Sequence, residues 1–254
     1  MDYSEIINNA AMRTERTNCM IRCSDVLEGI HSGKYTIECS NPLILFEKCT
    51  GYRRLYYFLS DNDRSFKLDI NVGEPVYGDI SVKGDFSYSG SVFEQASLVP
   101  YRTYMRMRVF GGGNVYERPY EPVLAEAGDS EKIYAMIYSM FDPMADTLPD
   151  AKELNQLISK GNVLKIDIKD NIVGFLFFED TGVRSYLRTL AVDRDYRGKS
   201  IGFSLMSRYF EIHSLNVAKQ FTLWTDINNS AAISLYSKFG YTPDGVKNYI
   251  FKTV

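Results

Sequence analysis

Hydrophobic and polar positions change period several times along the chain, and each change marks an element. Residues 1 to about 40 are polar and mixed, with helical spacing only from Tyr3 to Met12 and around Ser24 to His31. Short apolar runs follow at Pro42 to Cys49, Arg53 to Ser60, Phe66 to Ile70 and Val76 to Val82. These predict strands, the first two joined as a hairpin through Thr50-Gly51. After a glycine-rich break from Gly84 to Gly90 come a short helix over Ser91 to Ala96 and a strand over Tyr101 to Val109. Phe110-Gly111-Gly112-Gly113-Asn114 is the clearest break, and linker character persists to Pro122. A boundary there predicts a β-rich domain over 1–115 and a second domain over 120–254.

The second half alternates more regularly. Val123 to Ala127 predicts a strand, Asp129 to Met140 and Asp150 to Lys160 two helices, and Asn162 to Ile168 with Ile172 to Glu179 two strands around Lys169-Asp170-Asn171. Tyr186 to Val192 has the pattern of a buried strand, and from Ser200 onward Ile201, Leu205, Tyr209 and Ile212 fall at helical spacing. Between them sits Arg197-Gly198-Lys199-Ser200-Ile201-Gly202. Its glycines let a ligand approach the backbone, and first-turn helix amides lack intrahelical acceptors. Together with the helix dipole, Arg197 and Lys199, they predict a phosphate or pyrophosphate site. A nucleotide-binding P-loop is excluded, because it needs glycine five residues before Gly198, where Asp193 stands. The dinucleotide fingerprint is excluded too, since no Gly-x-Gly-x-x-Gly follows this strand.

Phe221 to Thr225 is a further strand and holds the only tryptophan, Trp224. The run Asp226 to Tyr241 then reads as a helix with Asn or Ser at its start and Gly240 at its stop.

These two stretches resemble the signature segments of the GCN5-related N-acetyltransferase (GNAT) superfamily. Its members place an Arg or Gln, a Gly-rich turn and a helix directly after their fourth strand, as Arg197 to Gly202 do here, with Ser200 where the family usually has Gly. Asn229, Ala232, Tyr236 and Gly240-Tyr241 fill the second signature. The order of elements across the C-terminal half is also the family's. The resemblance implies an α/β (α+β) GNAT fold, a mixed and mostly antiparallel sheet flanked by helices, with acetyl-CoA as cofactor. By position, amides of Leu190, Ala191 and Val192 would hold the pantetheine arm, and Arg197, Gly198, Lys199, Ser200, Ile201 and Gly202 the pyrophosphate, with Asn229 a further cofactor contact.

Tyr236, with a reference pKa of about 10, would give its proton to the departing thiolate after direct attack by the primary amine of a small-molecule or peptide acceptor. Tyr236 also shares a helical face with Ala232 and Phe239, the pattern of a core residue. The fourth strand offers Arg184, Tyr186 and Arg188 but no carboxylate; Glu179, Asp180 and Asp226 come nearest as bases, and each also reads as a strand-end surface charge. The alternative is a module that binds acyl-CoA without turnover, suggested by Ser200 and the missing base.

Composition adds exclusions. Of 254 residues, 45% are apolar and 24% charged, and a net charge of -3 gives no general affinity for nucleic acid. No apolar run of about 18 residues crosses a membrane, and no basic then apolar N-terminus directs secretion, so a cytoplasmic protein is expected. Cys19, Cys23, Cys39 and Cys49 all lie in the first fifth, odd spacing for a disulfide framework, and reduced thiols are expected. A zinc site from Cys19, Cys23, His31 and Cys39 matches no common finger, and no metal is expected. His213 reads as a surface or boundary residue. Arg102, Tyr104, Arg106 and Arg108 share one strand face, which reads as nucleic-acid contact or, with Thr103, Met105, Met107 and Val109 opposite, as the solvated side of a half-buried strand.

Ser91 to Pro100 can be laid on Ser234 to Pro243 without a gap, which sets Phe93 against Tyr236. The first half is accordingly expected to be a shortened, degenerate GNAT-like copy of the second that covers its acceptor side, with an unrelated β-rich domain as the alternative.

Overall fold

The computed structural model describes residues 2–13, 16–18, 21–40, 42–60, 73–214 and 220–254. In chain order its elements are α1 (Tyr3–Arg13), β1 (Arg16–Thr17), α2 (Cys23–His31), β2 (Tyr35–Ser40), β3 (Leu43–Cys49), β4 (Tyr52–Leu59), β5 (Val76–Lys83), α3 (Val92–Gln95), β6 (Val99–Phe110), β7 (Val123–Leu124), α4 (Ser130–Met140), α5 (Ala151–Ser159), β8 (Val163–Ile168), β9 (Asn171–Thr181), β10 (Arg184–Val192), α6 (Ile201–His213), β11 (Gln220–Asp226), α7 (Ser230–Lys238) and β12 (Thr242–Lys252). Short 3-10 turns precede α4 and α6. The expected strand over Phe66 to Ile70 lies outside the described residues. Among the described residues, no helix is long and apolar enough to cross a membrane.

The chain forms two compact units, Met1–Thr103 with Val246–Val254, and Tyr104–Gly245. The division expected in the glycine-rich stretch therefore falls inside the second unit. Two contacts explain this. A Cβ built on Gly113 would lie 2.5 Å from the Phe210 ring, so that glycine serves close packing on α6. Tyr116 then donates its amide to Ser207 Oγ at 2.9 Å, and Ser207 Oγ donates back to the Tyr116 carbonyl at 2.6 Å. The units begin and end elsewhere because strand pairing sets them. Tyr104–Phe110 of β6 pairs antiparallel with β11, and Val246–Lys252 of β12 pairs antiparallel with β5. Each unit is thus completed by a strand from the other half of the chain.

In the first unit the strand order is β2-β3-β4-β5-β12. The alternation of β3 and β4 divides their side chains between two cores. Leu43, Leu45, Tyr56 and Phe58 face Ile7 of α1 and Val26 of α2, while Ile44, Phe46, Leu55 and Tyr57 face Phe93 of α3 and Phe251 of β12. The polar first 40 residues gave no sign of β2, half of whose residues are exposed.

In the second unit the order is β7-β8-β9-β10-β11-β6, and every ladder is antiparallel except β10 with β11. Its helices lie on both faces. Ile133 and Ile137 of α4 with Leu154 and Leu157 of α5 pack on Phe175, Phe177 and Ala191, whereas Ile201, Leu205 and Tyr209 of α6 with Tyr236 and Phe239 of α7 pack on Leu176, Phe178, Leu187 and Leu223. The mixed sheet flanked by helices matches the architecture expected for this half.

Gly174 of β9 sits under the first turn of α6, where a Cβ would come within 2.6 Å of Ile201 Cγ2 and 3.1 Å of the Ala191 carbonyl oxygen. One methyl group would lift the helix from the sheet. Gly174→Ala is expected to lower stability by about 1–3 kcal/mol in urea denaturation; an unchanged midpoint would show that α6 is not seated this closely.

Candidate functional site

β10 and β11 are hydrogen-bonded only from Arg184↔Gln220 to Leu187↔Leu223. Beyond that point they part. β10 continues along β9 to Val192↔Gly174, while β11 continues along β6 to Asp226↔Tyr104. At the parting, the β10 and β9 register shifts between Leu187 and Thr189, so Arg188 is an extra residue on one strand. Such a bulge bends a strand and ends local pairing. The Asp193 amide donates to the Val173 carbonyl at 2.9 Å. By the alternation of an antiparallel ladder, the amides of Ala191 and Thr189 also turn toward β9, and those of Leu190 and Val192 turn into the gap left by β11. Two of the three expected arm-binding amides are therefore presented. The third, Ala191, belongs to the β9 ladder, and its side chain packs in the core under α4 and α5.

The strand leads into the predicted anion turn. Gly198 has φ +75° and open space where a Cβ would stand. Ser200, at φ 63° and ψ 14°, is left-handed and occupies the N-cap of α6 without a side-chain cap bond. That conformation favours glycine, since a residue with Cβ is strained there by about 1–2 kcal/mol. The first turn of α6 contains no acidic residue, so its amides and dipole face the turn uncompensated by the helix's own side chains. Lys199 Nζ lies 5.0 Å from the Tyr196 ring centroid. Arg197 Nε donates to the Val192 carbonyl at 3.2 Å, a contact that the sequence did not reveal. It fastens the turn to the strand end and satisfies one of the carbonyls that face the gap.

Gly202 joins the two predicted motifs. A Cβ built there would meet Leu235 Cδ2 at 3.2 Å, Leu190 Cδ2 at 3.4 Å and Val192 Cγ2 at 3.6 Å. The residue before Tyr236 and two residues of the gap edge thus converge on the first turn of α6. Tyr236 is 6% exposed, and its hydroxyl makes no hydrogen bond among the described residues. Burial alone raises its pKa, which keeps the phenol protonated through neutral pH. Asn229 has a plainer duty. Its side chain caps α7 by accepting from the Ala232 amide at 3.1 Å, worth about 1 kcal/mol to such a helix.

The three carboxylates considered as bases are each engaged. Glu179 and Glu153 both accept from Arg188, which raises the arginine pKa against the opposing effect of its burial. Asp226 accepts from the Asn228 amide at 2.8 Å. Asp180 meets His213 Nε2 at 3.1 Å. His213 is 4% exposed and is not the surface residue expected: its Nδ1 meets the Tyr209 carbonyl at 2.7 Å and its ring packs against Phe178. An apolar environment with three polar partners, Tyr209, Asp180 and Ser185, was not readable from a histidine near a helix end.

On the basic face of β6, Asp244 pairs with Arg106 at 2.7 Å and Arg108 at 2.6 Å, and the Tyr104 hydroxyl donates to Asp146 at 2.7 Å. Three of the four side chains of that face are thus engaged by carboxylates. Cys23, Cys39 and Cys49 are free thiols, and no cluster of metal-ligating side chains occurs among the described residues.

Comparison with known proteins agrees with this geometry. Residues 159–243 match the acetyltransferase (GNAT) domain family. N-alpha-acetyltransferase 30 of Schizosaccharomyces pombe is 31% identical over 61 residues, 24% of this chain and 41% of that protein. The chain spans about two fifths of the length of the curated relatives it matches. The structure of a GCN5-related N-acetyltransferase from Sphaerobacter thermophilus superposes with a TM-score of 0.62 at 13% identity, covering 92% of this chain and 86% of that one. A tandem GNAT protein from the clavulanic acid biosynthesis pathway superposes with a TM-score of 0.53 at 9% identity, covering 99% and 93%. The fold is the GNAT fold.

Two outcomes follow from the site's local physics. Relief of the left-handed strain in Ser200→Gly, offset by the entropy of glycine, is expected to stabilise the protein by up to about 1 kcal/mol, a rise of about 2–4 °C in melting temperature. A lower melting temperature would mean that Ser200 has a compensating role. For Asp180, burial acts to raise the pKa, but hydrogen bonds from His213 and Ser185 outweigh it and the net shift is downward. A depressed carboxylate contributes stability that is complete above its unfolded value of about 4 and is lost as pH falls through the folded value. Urea midpoints measured from pH 6 down to pH 3 are expected to fall more steeply in the wild type than in Asp180→Asn; parallel curves would contradict this assignment.

Proposed function

Proceeding from a GNAT fold whose two signature segments meet at Gly202, we propose that this protein is an acetyl-CoA-dependent N-acetyltransferase acting on a primary amine. The observation that carries the reading is the convergence of Leu190, Val192 and Leu235 on Gly202. It brings strand-edge donors and an open helix N-terminus to one gap, and with Leu235 beside that helix it supports a place nearby for the buried phenol of Tyr236.

The residues present fit coenzyme A. The amides of the Leu190 and Val192 edge suit an extended chain carrying amide groups, and the uncapped first turn of α6 with Gly198, Lys199 and Arg197 suits a diphosphate. When bound, the cofactor supplies an acyl group activated as a thioester. The work of the protein is positional and electrostatic. Edge amides that remain unpaired in the gap polarise a carbonyl oxygen placed against them. Tyr236, kept neutral by burial, holds a proton at its phenol oxygen for a departing thiolate. With Glu179, Asp180 and Asp226 engaged by Arg188, His213 and Asn228, the proton of the attacking amine passes to solvent.

The acceptor is a small molecule or a peptide; the name of the fission yeast relative concerns an α-amino group, which favours including peptide N-termini among the acceptors tried. The free thiols Cys23, Cys39 and Cys49 support a reducing, cytoplasmic setting.

The test is thiol release from acetyl-CoA across a panel of small amines and peptides with free N-termini. Release is expected with at least one acceptor, and Tyr236→Phe is expected to lower kcat about 100-fold or more while cofactor affinity stays within about twofold. Cofactor binding without release for any acceptor would instead favour a non-catalytic acyl-CoA-binding module.

A further inference from the structure

The first unit contains its own pair of diverging parallel strands. β4 pairs with β5 only from Arg53↔Val76 to Leu55↔Gly78; β4 then continues along β3 and β5 along β12. The edge of β4 beyond Leu55 therefore corresponds to the edge of β10 at Leu190 and Val192. In the second unit that edge faces a gap. In the first unit it is covered by the chain itself.

A short ladder and three side-chain hydrogen bonds make the cover. Arg16 and Thr17 pair antiparallel with Leu59 and Phe58, and Thr17 Oγ1 donates to the Tyr57 carbonyl at 2.6 Å. The Asn18 side chain then acts as a peptide group would. Its Nδ2 donates to the Leu55 carbonyl at 2.8 Å and its Oδ1 accepts from the Tyr57 amide at 2.9 Å. A carboxamide with one donor and one acceptor in use satisfies a strand edge in the way that an extended, amide-bearing ligand does.

The face of the sheet beside the parting is filled as well. A Cβ on Gly78 would lie 2.9 Å from the Phe93 ring, and Phe93 stacks on Phe251 at 4.2 Å between centroids. The β3 and β4 register runs without a shift, so this unit lacks the bulge found at Arg188 in the other.

We infer that Arg16–Asn18 is a built-in occupant of a second, cofactor-like slot, and that it closes the first unit to coenzyme A. This inference rests on the reading of the second unit as the cofactor site, and the test separates the two. Calorimetry of the full chain with coenzyme A is expected to give one equivalent bound, and Asn18→Ala is expected to leave that affinity unchanged. In hydrogen exchange, the Tyr57 amide of Asn18→Ala is expected to exchange about tenfold faster or more, against unchanged amides at Ile44 to Phe46. Retained protection at Ile44 to Phe46 distinguishes loss of this contact from unfolding.

A second equivalent of coenzyme A in the wild type, or unaltered Tyr57 exchange in Asn18→Ala, would overturn the inference. Absence of any binding would overturn the reading of the second unit, while the Tyr57 amide would still decide whether Asn18 covers the β4 edge.

Discussion

The parting of two parallel strands governs what the second unit can do. While β10 and β11 are paired, their backbone groups satisfy one another; past Leu187 and Leu223 they do not, and the amides of Leu190 and Val192 need another partner. A sheet tolerates such a gap only where each strand is held from its other side. Here β9 holds β10 to Val192, and β6, a strand from the first half of the chain, holds β11 to Asp226. The bulge at Arg188 and its two carboxylate partners sit where the separation begins. The exchange of β6 and β12 is thus part of how each unit supports its diverging strands.

The same constraint accounts for the helices. α6 must start close beside the gap for its free amides to face it, and close packing is achieved by two missing side chains, at Gly174 below and Gly202 beside Leu235. Ser200 strains the turn, yet its carbonyl still receives the Ser204 amide at 2.9 Å and so starts the helix regularly. The first unit meets the same constraint differently, by supplying from its own N-terminal segment the donors and acceptor that the β4 edge requires.

Most of the second unit was legible in the sequence because its periodicities are strong and its breaks coincide with Gly161, Gly198 and Gly240, each at positive φ. The anion turn and the helix bearing Tyr236 were found from local spacing alone. Three kinds of information were not local. The strand exchange depends on pairings between residues more than a hundred positions apart, so the glycine-rich stretch after Phe110 looked like a boundary although Gly113 packs on Phe210. The burial of His213 follows from what surrounds the end of α6. Which amides point into the gap depends on ladder parity, which is why Ala191 could not be separated from Leu190 and Val192 beforehand. β12 went unnoticed because much of it is only half-buried and its pattern is weak.

The most direct measurement is residue-resolved amide hydrogen exchange of the full chain with and without saturating coenzyme A. Slowed exchange confined to Leu190, Val192 and the amides of Ile201 to Phe203, with Ala191 unchanged, is the predicted result. Uniform exchange at all of these positions on addition of the cofactor would contradict the claim that the gap between β10 and β11 is where it binds.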